Sequence, residues 1–465
     1  MVGCSVLVSS EDMRTLRKDE SMTYEEVQEC LKVNNQSHIL KFWDRLDETA
    51  RAGLLRQIET LDFDSIGRMQ KLLDAHKELR AVSPLTRSPV THYSQANVIE
   101  RLTEAERTDA LAAGEAKLRA GEVAVLLVAG GQGSRLGYDG PKGAYPIGPV
   151  SGKSIFYFHA RKIVGLSRRY GVSIPFYIMT SSTNDAATQT HFKENDYFGL
   201  NKDDVIFFQQ GEWPALDEGG KIILDEPGHI FMCPDGHGGT ITALAKNKCF
   251  EDMEGRGGGV KTVFYFQVDN PLVEIADPVF IGLHVMRGAK MSLKVCAKRD
   301  ANENVGVVAM RDGHTEIVEY TDMTDEQKCR KTADGELYFK YGSVAIHVFS
   351  LDFLKTEAGR EMPIHIAHKK IPMCDEAGKV VKPDKENGYK FEKLIFDVLP
   401  NAGNVVNLAF DRADEFSPVK NPVTDKDGNV LDDSPATCQR DMQAKWRRQL
   451  RLPDDEPPPD LDPAD

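Results

Sequence analysis

Val123-Ala124-Val125-Leu126-Leu127-Val128-Ala129-Gly130-Gly131-Gln132-Gly133-Ser134-Arg135-Leu136-Gly137 decides how the rest of the chain is read. Seven consecutive apolar residues closed by a pair of glycines are too few for a membrane span or a surface helix. They fit a strand buried on both faces. The glycines that follow let backbone N–H groups approach a phosphate chain, and Arg135 adds a charged fork. The plainer alternative is a tight strand-to-helix turn with no ligand. Two common phosphate loops do not fit. A dinucleotide fingerprint needs GxGxxG, and here Gly137 follows Gly133 one residue too late. The stretch from Ile147 to Gly152-Lys153-Ser154 has the end of a P-loop but carries Ile147 where its first glycine belongs.

On either side of this strand, short apolar runs alternate with amphipathic stretches. Residues 123–129, 176–179, 205–208, 263–268 and 291–297 read as strands, and 154–168, 185–194 and 240–247 as helices. Such alternation predicts a parallel α/β sheet. Between Gly130 and Lys162 the chain holds five basic residues (Arg135, Lys142, Lys153, Arg161, Lys162) and one acidic residue (Asp139), so an anionic ligand is expected there.

The 465 residues allow about three domains, or one large domain with appendages. With 41% hydrophobic and 28% charged residues, the composition is that of a globular protein. A net charge of −14 argues against nucleic-acid and anionic-membrane partners. The N-terminus lacks a basic, apolar leader, and the eight cysteines show no zinc spacing, so a cytoplasmic protein with reduced thiols is expected.

Residues 1–21 read as disordered, or as lying before the true start, because Met22 directly precedes the capped helix start Thr23-Tyr24-Glu25-Glu26. Residues 22–120 form a helical N-terminal region, with Ile39, Phe42, Trp43 and Leu46 on one face and Leu54, Leu55, Ile58 and Leu61 on another. A loop rich in Pro, Ser and Thr spans 83–94, and the capping box Thr103-x-x-Glu106 opens the helix before the main strand. The main domain occupies 121–421. Residues 422–465 form a short C-terminal segment ending in a disordered acidic, Pro-rich tail.

The strand, Ala129-Gly130-Gly131-x-Gly133-Ser134-Arg135-Leu136 and Pro141-Lys142-Gly143 together resemble the signature of nucleotidyltransferases that make nucleotide sugars. The likeness is closest to the eukaryotic UDP-N-acetylglucosamine pyrophosphorylase and UDP-sugar pyrophosphorylase family. It extends through Phe208-Gln209-Gln210-Gly211, Pro234-Asp235-Gly236-His237-Gly238-Gly239, Val268-Asp269-Asn270, Val318-Glu319-Tyr320 and Asn387-Gly388-Tyr389-Lys390. It ends with Glu415-Phe416-Ser417-Pro418-Val419-Lys420-Asn421. The resemblance implies a Rossmann-like, glycosyltransferase-A-like mixed sheet flanked by helices, with 121–421 as the catalytic domain.

It also implies transfer of UMP from UTP to a sugar 1-phosphate, most closely N-acetylglucosamine 1-phosphate, with release of pyrophosphate. An in-line attack on the α-phosphorus asks the protein for positioning and positive charge. By the resemblance, Arg135 holds the leaving phosphates, Lys142 neutralises the α-phosphate and Lys420 grips the sugar phosphate. Asp269 holds Mg²⁺ or Mn²⁺ in the same scheme. Ala129, Gly130 and Gly131, with either Gln209 or Gln210 and with Gly236, match the nucleotide contacts. Glu319, His237, Ser343 and Lys390 match the sugar side.

Three positions depart from the N-acetylglucosamine enzymes, where His237, Ser343 and Ile346 replace asparagines. They leave a UDP-glucose or broad UDP-sugar pyrophosphorylase as the alternative. A nucleotide-sugar-binding protein without turnover is the lesser one. His365 and His368 have the spacing HxxH, read as structural or phosphate-side groups rather than metal ligands. Only 44 residues follow Asn421, so any role of the family's C-terminal domain cannot be carried over.

Overall fold

The computed structural model describes residues 22–82 and 93–452, so the expected disorder of 1–21, most of the 83–94 loop and the acidic tail lie outside the described residues. The chain forms two compact units. The first holds the described residues up to 82 with Glu212–His237 and Pro363–Leu394; the second holds 93–211, Gly238–Met362 and 395–452.

In the first unit, helices Tyr24–Val33, Glu48–Thr60 and Phe63–Val82 pack Val27, Leu31, Leu54, Ile58, Ile66 and Met69 onto Trp213, Leu216, Ile222, Leu224, Ile230 and Phe391. The Thr23 capping box is formed. The helical face expected around Ile39 and Trp43 is instead two short 3₁₀ turns, Ser37–Leu40 and Trp43–Arg45. Two glutamine side chains complete strand-like pairing. Gln36 accepts from Ile222 N at 2.9 Å and donates to Gly220 O at 3.1 Å, and Gln57 does the same with Ile230 N and O. This core explains why the observed division differs from the linear one. The segments 212–237 and 363–394 bury their apolar faces with the N-terminal helices, so residues expected in the 121–421 domain belong to the first unit.

The second unit is built on a ten-stranded sheet: β1 (Ser94–Gln95), β2 (Val123–Val128), β3 (Phe176–Thr180), β4 (Val205–Gln209), β5 (Thr262–Gln267), β6 (Met291–Ala297), β7 (Val307–Arg311), β8 (His314–Val318), β9 (Tyr341–Ser350) and β10 (Val405–Ala409). Strands β5, β2, β3 and β4 are neighbours and parallel, as are β6 and β10. The sheet is nonetheless mixed, not wholly parallel. The ten-residue β9 runs antiparallel between β5 and β6, and β7 pairs antiparallel with β1, β8 and β9. Both faces are covered, which is why β2 and β3 carry almost unbroken apolar sequence.

The covering helices include α1 (Glu104–Arg119), α2 (Ile155–Tyr170), α3 (Asp185–Glu194), α4 (Gly239–Lys246), α5 (Pro278–Met286) and α6 (Pro435–Leu450). The capping box of Thr103 and Glu106 opens α1. Helix α6 was not legible as part of the tail. Ser434 and Thr437 cap it, Pro435 takes its first turn, and Cys438, Met442 and Trp446 are buried one turn apart. Among the described residues no helix is long and apolar enough to cross a membrane.

Helices α1 and α5 approach closely because both are glycine at the crossing. A methyl group on Gly114 would overlap the Pro278 carbonyl, and one on Gly282 the Ala110 carbonyl. Gly282→Ala is therefore expected to destabilise the protein by about 1–3 kcal/mol, since backbone rather than a side-chain tip must yield. Urea unfolding would show a lower midpoint with an unchanged m-value. A midpoint equal to wild type would mean that the helices can separate freely.

Candidate active site

Strands β2 and β5 are paired in parallel, with Gln267 opposite Val128, and Val268 N donates to Val128 O at 3.0 Å. Both therefore end at the same edge of the sheet, and at the carboxyl ends of parallel strands ligands collect. The glycine loop leaves from one strand end and Asp269 from the other.

Three carbonyls of the glycine loop are taken up from the turn after β3. Asn184, fully buried, donates through Nδ2 to Ala129 O at 2.8 Å and to Gly131 O at 3.3 Å, and Ser181 Oγ donates to Gly130 O at 2.9 Å. Among the described residues, nothing accepts from the N–H of Gly130 or Gly131, so these donors are available to an anion. The loop folds back through Gly133 N to Gly140 O at 2.9 Å and Lys142 N to Gly131 O at 3.0 Å. Gly137, at φ +71°, makes the left-handed corner. Gly143 lies against the Phe156 ring with no room for a side chain, which fixes Lys142 beside the loop.

Arg135 is exposed on the 3₁₀ turn Ser134–Leu136, and Lys142 is half-buried. Neither has a carboxylate partner among the described residues, nor does Lys420, whose ammonium lies 5.8 Å from the centre of the Phe416 ring. The two glutamines left open by sequence separate here. Gln210 places its amide over Gly130, where an added Cβ would lie 2.6 Å from Nε2, whereas Gln209 is exposed on β4. Gln210 is thus the amide brought to the glycine loop.

Asp269 and Lys420 are distant in sequence but joined through backbone. Asp269 O accepts from Val419 N at 2.7 Å; Asn270 donates to Glu415 O at 2.7 Å and accepts from Ser417 N at 3.1 Å. The Asp269 carboxylate is half-buried with no side-chain partner among the described residues. Those residues contain no cluster of three or more His, Cys, Asp or Glu side chains suited to a metal. A lone carboxylate at a phosphate site suits magnesium, which takes one or two carboxylates and completes its shell with phosphate and water.

Residues that the sequence reading did not single out hold these loops. His159 on α2 is fully buried, and burial, with the Lys162 charge, pushes its pKa down to about 3; the neutral ring donates from Nε2 to Val268 O at 3.1 Å. Lys162 Nζ donates to Pro271 O at 2.6 Å and Val273 O at 2.8 Å, and burial together with Lys445 pushes its pKa down to about 7. Lys294, 1% exposed, lies 2.8 Å from Asp277 and 2.5 Å from Glu415. Burial opposes its charge, but the two carboxylates raise its pKa above the ordinary lysine value. A signal for Lys162 existed, since it shares the face of Ile155 and His159 on an otherwise apolar helix side. Nothing local marks Lys294.

Of the residues expected on the sugar side, Glu319 and Ser343 meet at Gly306. Ser343 N donates to Gly306 O at 2.8 Å, and a Cβ on Gly306 would lie 2.8 Å from the Glu319 carboxylate. Here β9 bulges. Lys294 pairs with Ile346 and Val295 with Ser343, and Ala345 takes φ +58°. Ile346 is 1% exposed and packs in the main core with Val344 and Val348.

Gly236, His237 and Lys390 belong to the first unit. Gly236, at φ +85°, is pressed against the Lys393 backbone, whose N–H donates to Asp235 O at 2.8 Å. Lys390 lies over the Phe231 ring at 5.0 Å, and His368 stacks on Tyr389 at 4.4 Å.

A family model described as UTP–glucose-1-phosphate uridylyltransferase matches residues 70–425. The UDP-N-acetylglucosamine pyrophosphorylase of Saccharomyces cerevisiae is 43% identical over 319 residues, 66% of each chain. UDP-N-acetylhexosamine pyrophosphorylase-like protein 1 of Xenopus tropicalis is 37% identical over 440 residues, 89% of this chain and 83% of that one. The crystal structure of the uridine diphosphate N-acetylglucosamine pyrophosphorylase from Trypanosoma brucei superposes with a TM-score of 0.77 at 29% identity, covering 93% of this chain and 86% of that one. The chain belongs to the UTP–glucose-1-phosphate uridylyltransferase family.

Proposed function

We propose that the protein transfers UMP from UTP to N-acetylglucosamine 1-phosphate, forming the UDP-sugar and releasing pyrophosphate. The observation that carries this reading is the shared edge of β2 and β5, where free N–H donors, Lys142, Asp269 and Lys420 belong to hydrogen-bonded loops. The Saccharomyces cerevisiae relative named UDP-N-acetylglucosamine pyrophosphorylase aligns over 66% of the chain, which supports this reading.

Gly130, Gly131 and Gln210 receive the uracil and the first phosphate, and Arg135 takes the charge of the departing pyrophosphate. Lys142 meets the negative charge that grows on the α-phosphate oxygens as the sugar phosphate attacks. Lys420 orients the attacking phosphate, and Glu319 accepts from sugar hydroxyls. His237, Ser343 and Lys390 are assigned to the sugar side, and Gly236 to the base and ribose side. Asp269 would hold the divalent cation, Mg²⁺ or Mn²⁺, which would supply positive charge to the phosphates. The seven described cysteines are all free thiols, which supports a reducing, cytoplasmic setting.

The test is incubation of the full chain with UTP, Mg²⁺ and a panel of sugar 1-phosphates, reading pyrophosphate release. No release with any sugar phosphate would end the uridylyltransferase reading. Arg135→Ala is expected to raise the UTP KM and the pyrophosphate inhibition constant together, each by about tenfold, as loss of one charge-assisted contact does. Unaltered pyrophosphate inhibition would contradict its role at the leaving group.

A second reading, a broad UDP-sugar enzyme, is favoured by His237, Ser343 and Ile346 in place of amides, of which Ile346 packs in the core. A site that hydrogen-bonds a group rejects analogues lacking it far more strongly than a roomy one. We expect N-acetylglucosamine 1-phosphate to be preferred over glucose 1-phosphate in kcat/KM by less than about a thousandfold. A larger ratio would mean that other groups read the acetamido.

A further inference from the structure

Helix α6 begins ten residues after the family match ends at 425, and the proposed reaction gives it no role. Its polar side chains nevertheless reach both catalytic loops. Lys445, buried, donates to Leu272 O at 3.1 Å and lies 3.2 Å from the Glu274 carboxylate, in the loop that starts at Asp269. One turn earlier, Asp441 accepts from Ser417 Oγ at 2.8 Å, three residues before Lys420. One turn later, Arg448 donates to Ala413 O at 2.8 Å and to Asp414 at 3.0 Å. Positions 441, 445 and 448 lie on one face of the helix.

The neighbouring face carries Cys438, Met442 and Trp446, all buried, with Trp446 6.2 Å from the Phe158 ring. Apolar packing therefore seats the helix without help from its charges. Burying an ammonium costs several kcal/mol and adds little net stability. A lysine at position 445 is better explained by what it fixes. Together with Lys162 it holds the carbonyls of residues 271 to 273 from two sides.

We infer that α6 is a clasp that sets the spacing between Asp269 and Lys420, with Lys445 and Asp441 as positioning residues; what that spacing serves rests on the uridylyl-transfer reading. Lys445 is bound to Leu272 and Glu274, and Asp441 to Ser417. Lys445 acts on the Asp269 loop, and Asp441 on the Lys420 loop. The two loops are thus referred to one rigid element.

The test uses Lys445→Met, Lys445→Arg and Asp441→Asn in the full chain. Lys445→Met is expected to raise the Mg²⁺ concentration for half-maximal rate about tenfold while the UTP KM stays within about twofold, and Lys445→Arg to recover most of the loss. Asp441→Asn is expected to raise the KM for the sugar 1-phosphate about fivefold and leave the Mg²⁺ dependence alone. Without substrate or metal, amide hydrogen exchange in residues 268–274 is expected to be about tenfold faster in Lys445→Met, with exchange in β3 unchanged.

Folded variants with wild-type exchange in 268–274, Mg²⁺ dependence and sugar phosphate KM would overturn the clasp. So would a Lys445→Met protein that only melts lower. Asp441 is partly exposed, so its variant keeps the question decidable if Lys445→Met fails to fold. An inactive wild type would sink the reaction but not the clasp, which exchange measures without turnover.

Discussion

Asp269→Asn is expected to remove most of the uridylyltransferase activity, a loss on the order of 10²-fold or more, because an amide is a poor ligand for a hard divalent cation that supplies several kcal/mol of charge stabilisation. The substitution is nearly isosteric. The fold has little reason to respond, since the contact that joins Asp269 to the Lys420 segment runs through its backbone carbonyl to Val419 N, and its carboxylate has no partner among the described residues. The melting temperature should stay at the wild-type value while the rate falls. The deciding measurement is rate against Mg²⁺ concentration for both proteins. A wild type undiminished by excess chelator, or a variant with wild-type metal dependence, would take Asp269 out of the mechanism.

The strands that carry the site were legible because each is a short, doubly buried apolar run, and burial on both faces erases alternation but leaves length and closing glycines. The glycine loop was legible for the same local reason. The antiparallel insertion of β9 was not, since a strand's direction depends on where its connection returns and not on its own residues. Discontinuity of the first unit was hidden likewise. Trp213, Leu216 and Ile230 announce a core but not which core, and the pieces are joined by partners far apart in sequence, among them Gln36 and Gln57, which pair with backbone more than 150 residues away.

Within the site, type and motif pointed to Lys142, Asp269 and Lys420, which motif context alone could suggest. What escaped was orientation. Ile346 stands near the residues expected on the sugar side in sequence, but it alternates with Val344 and Val348 on the core face of the strand. Gln209 and Gln210 differ by one step at the end of a strand, and only the pleat decides which meets Gly130. The supporting groups were less legible still. A buried lysine such as Lys294 looks like any surface lysine until Asp277 and Glu415 arrive from 17 residues before and 121 after it.

Lys142→Ala is expected to lower kcat by about 10²–10³-fold while changing the UTP KM much less, because its charge matters most as the α-phosphate rearranges. The position supports that division of effect. Lys142 is held by its own N–H to Gly131 O, in a turn where Gly143 is pressed against Phe156, so the ammonium is aimed by backbone rather than by an ion pair. Removing the side chain leaves the Gly130 and Gly131 donors, Gln210 and Arg135 in place to bind UTP. It therefore subtracts a transition-state interaction and little ground-state binding. Single-turnover rates at saturating UTP would read the chemical step directly. A variant with normal kcat and a raised UTP KM would show that Lys142 only binds substrate, and the charge at the α-phosphate would then have to come from Lys420 and the cation proposed at Asp269.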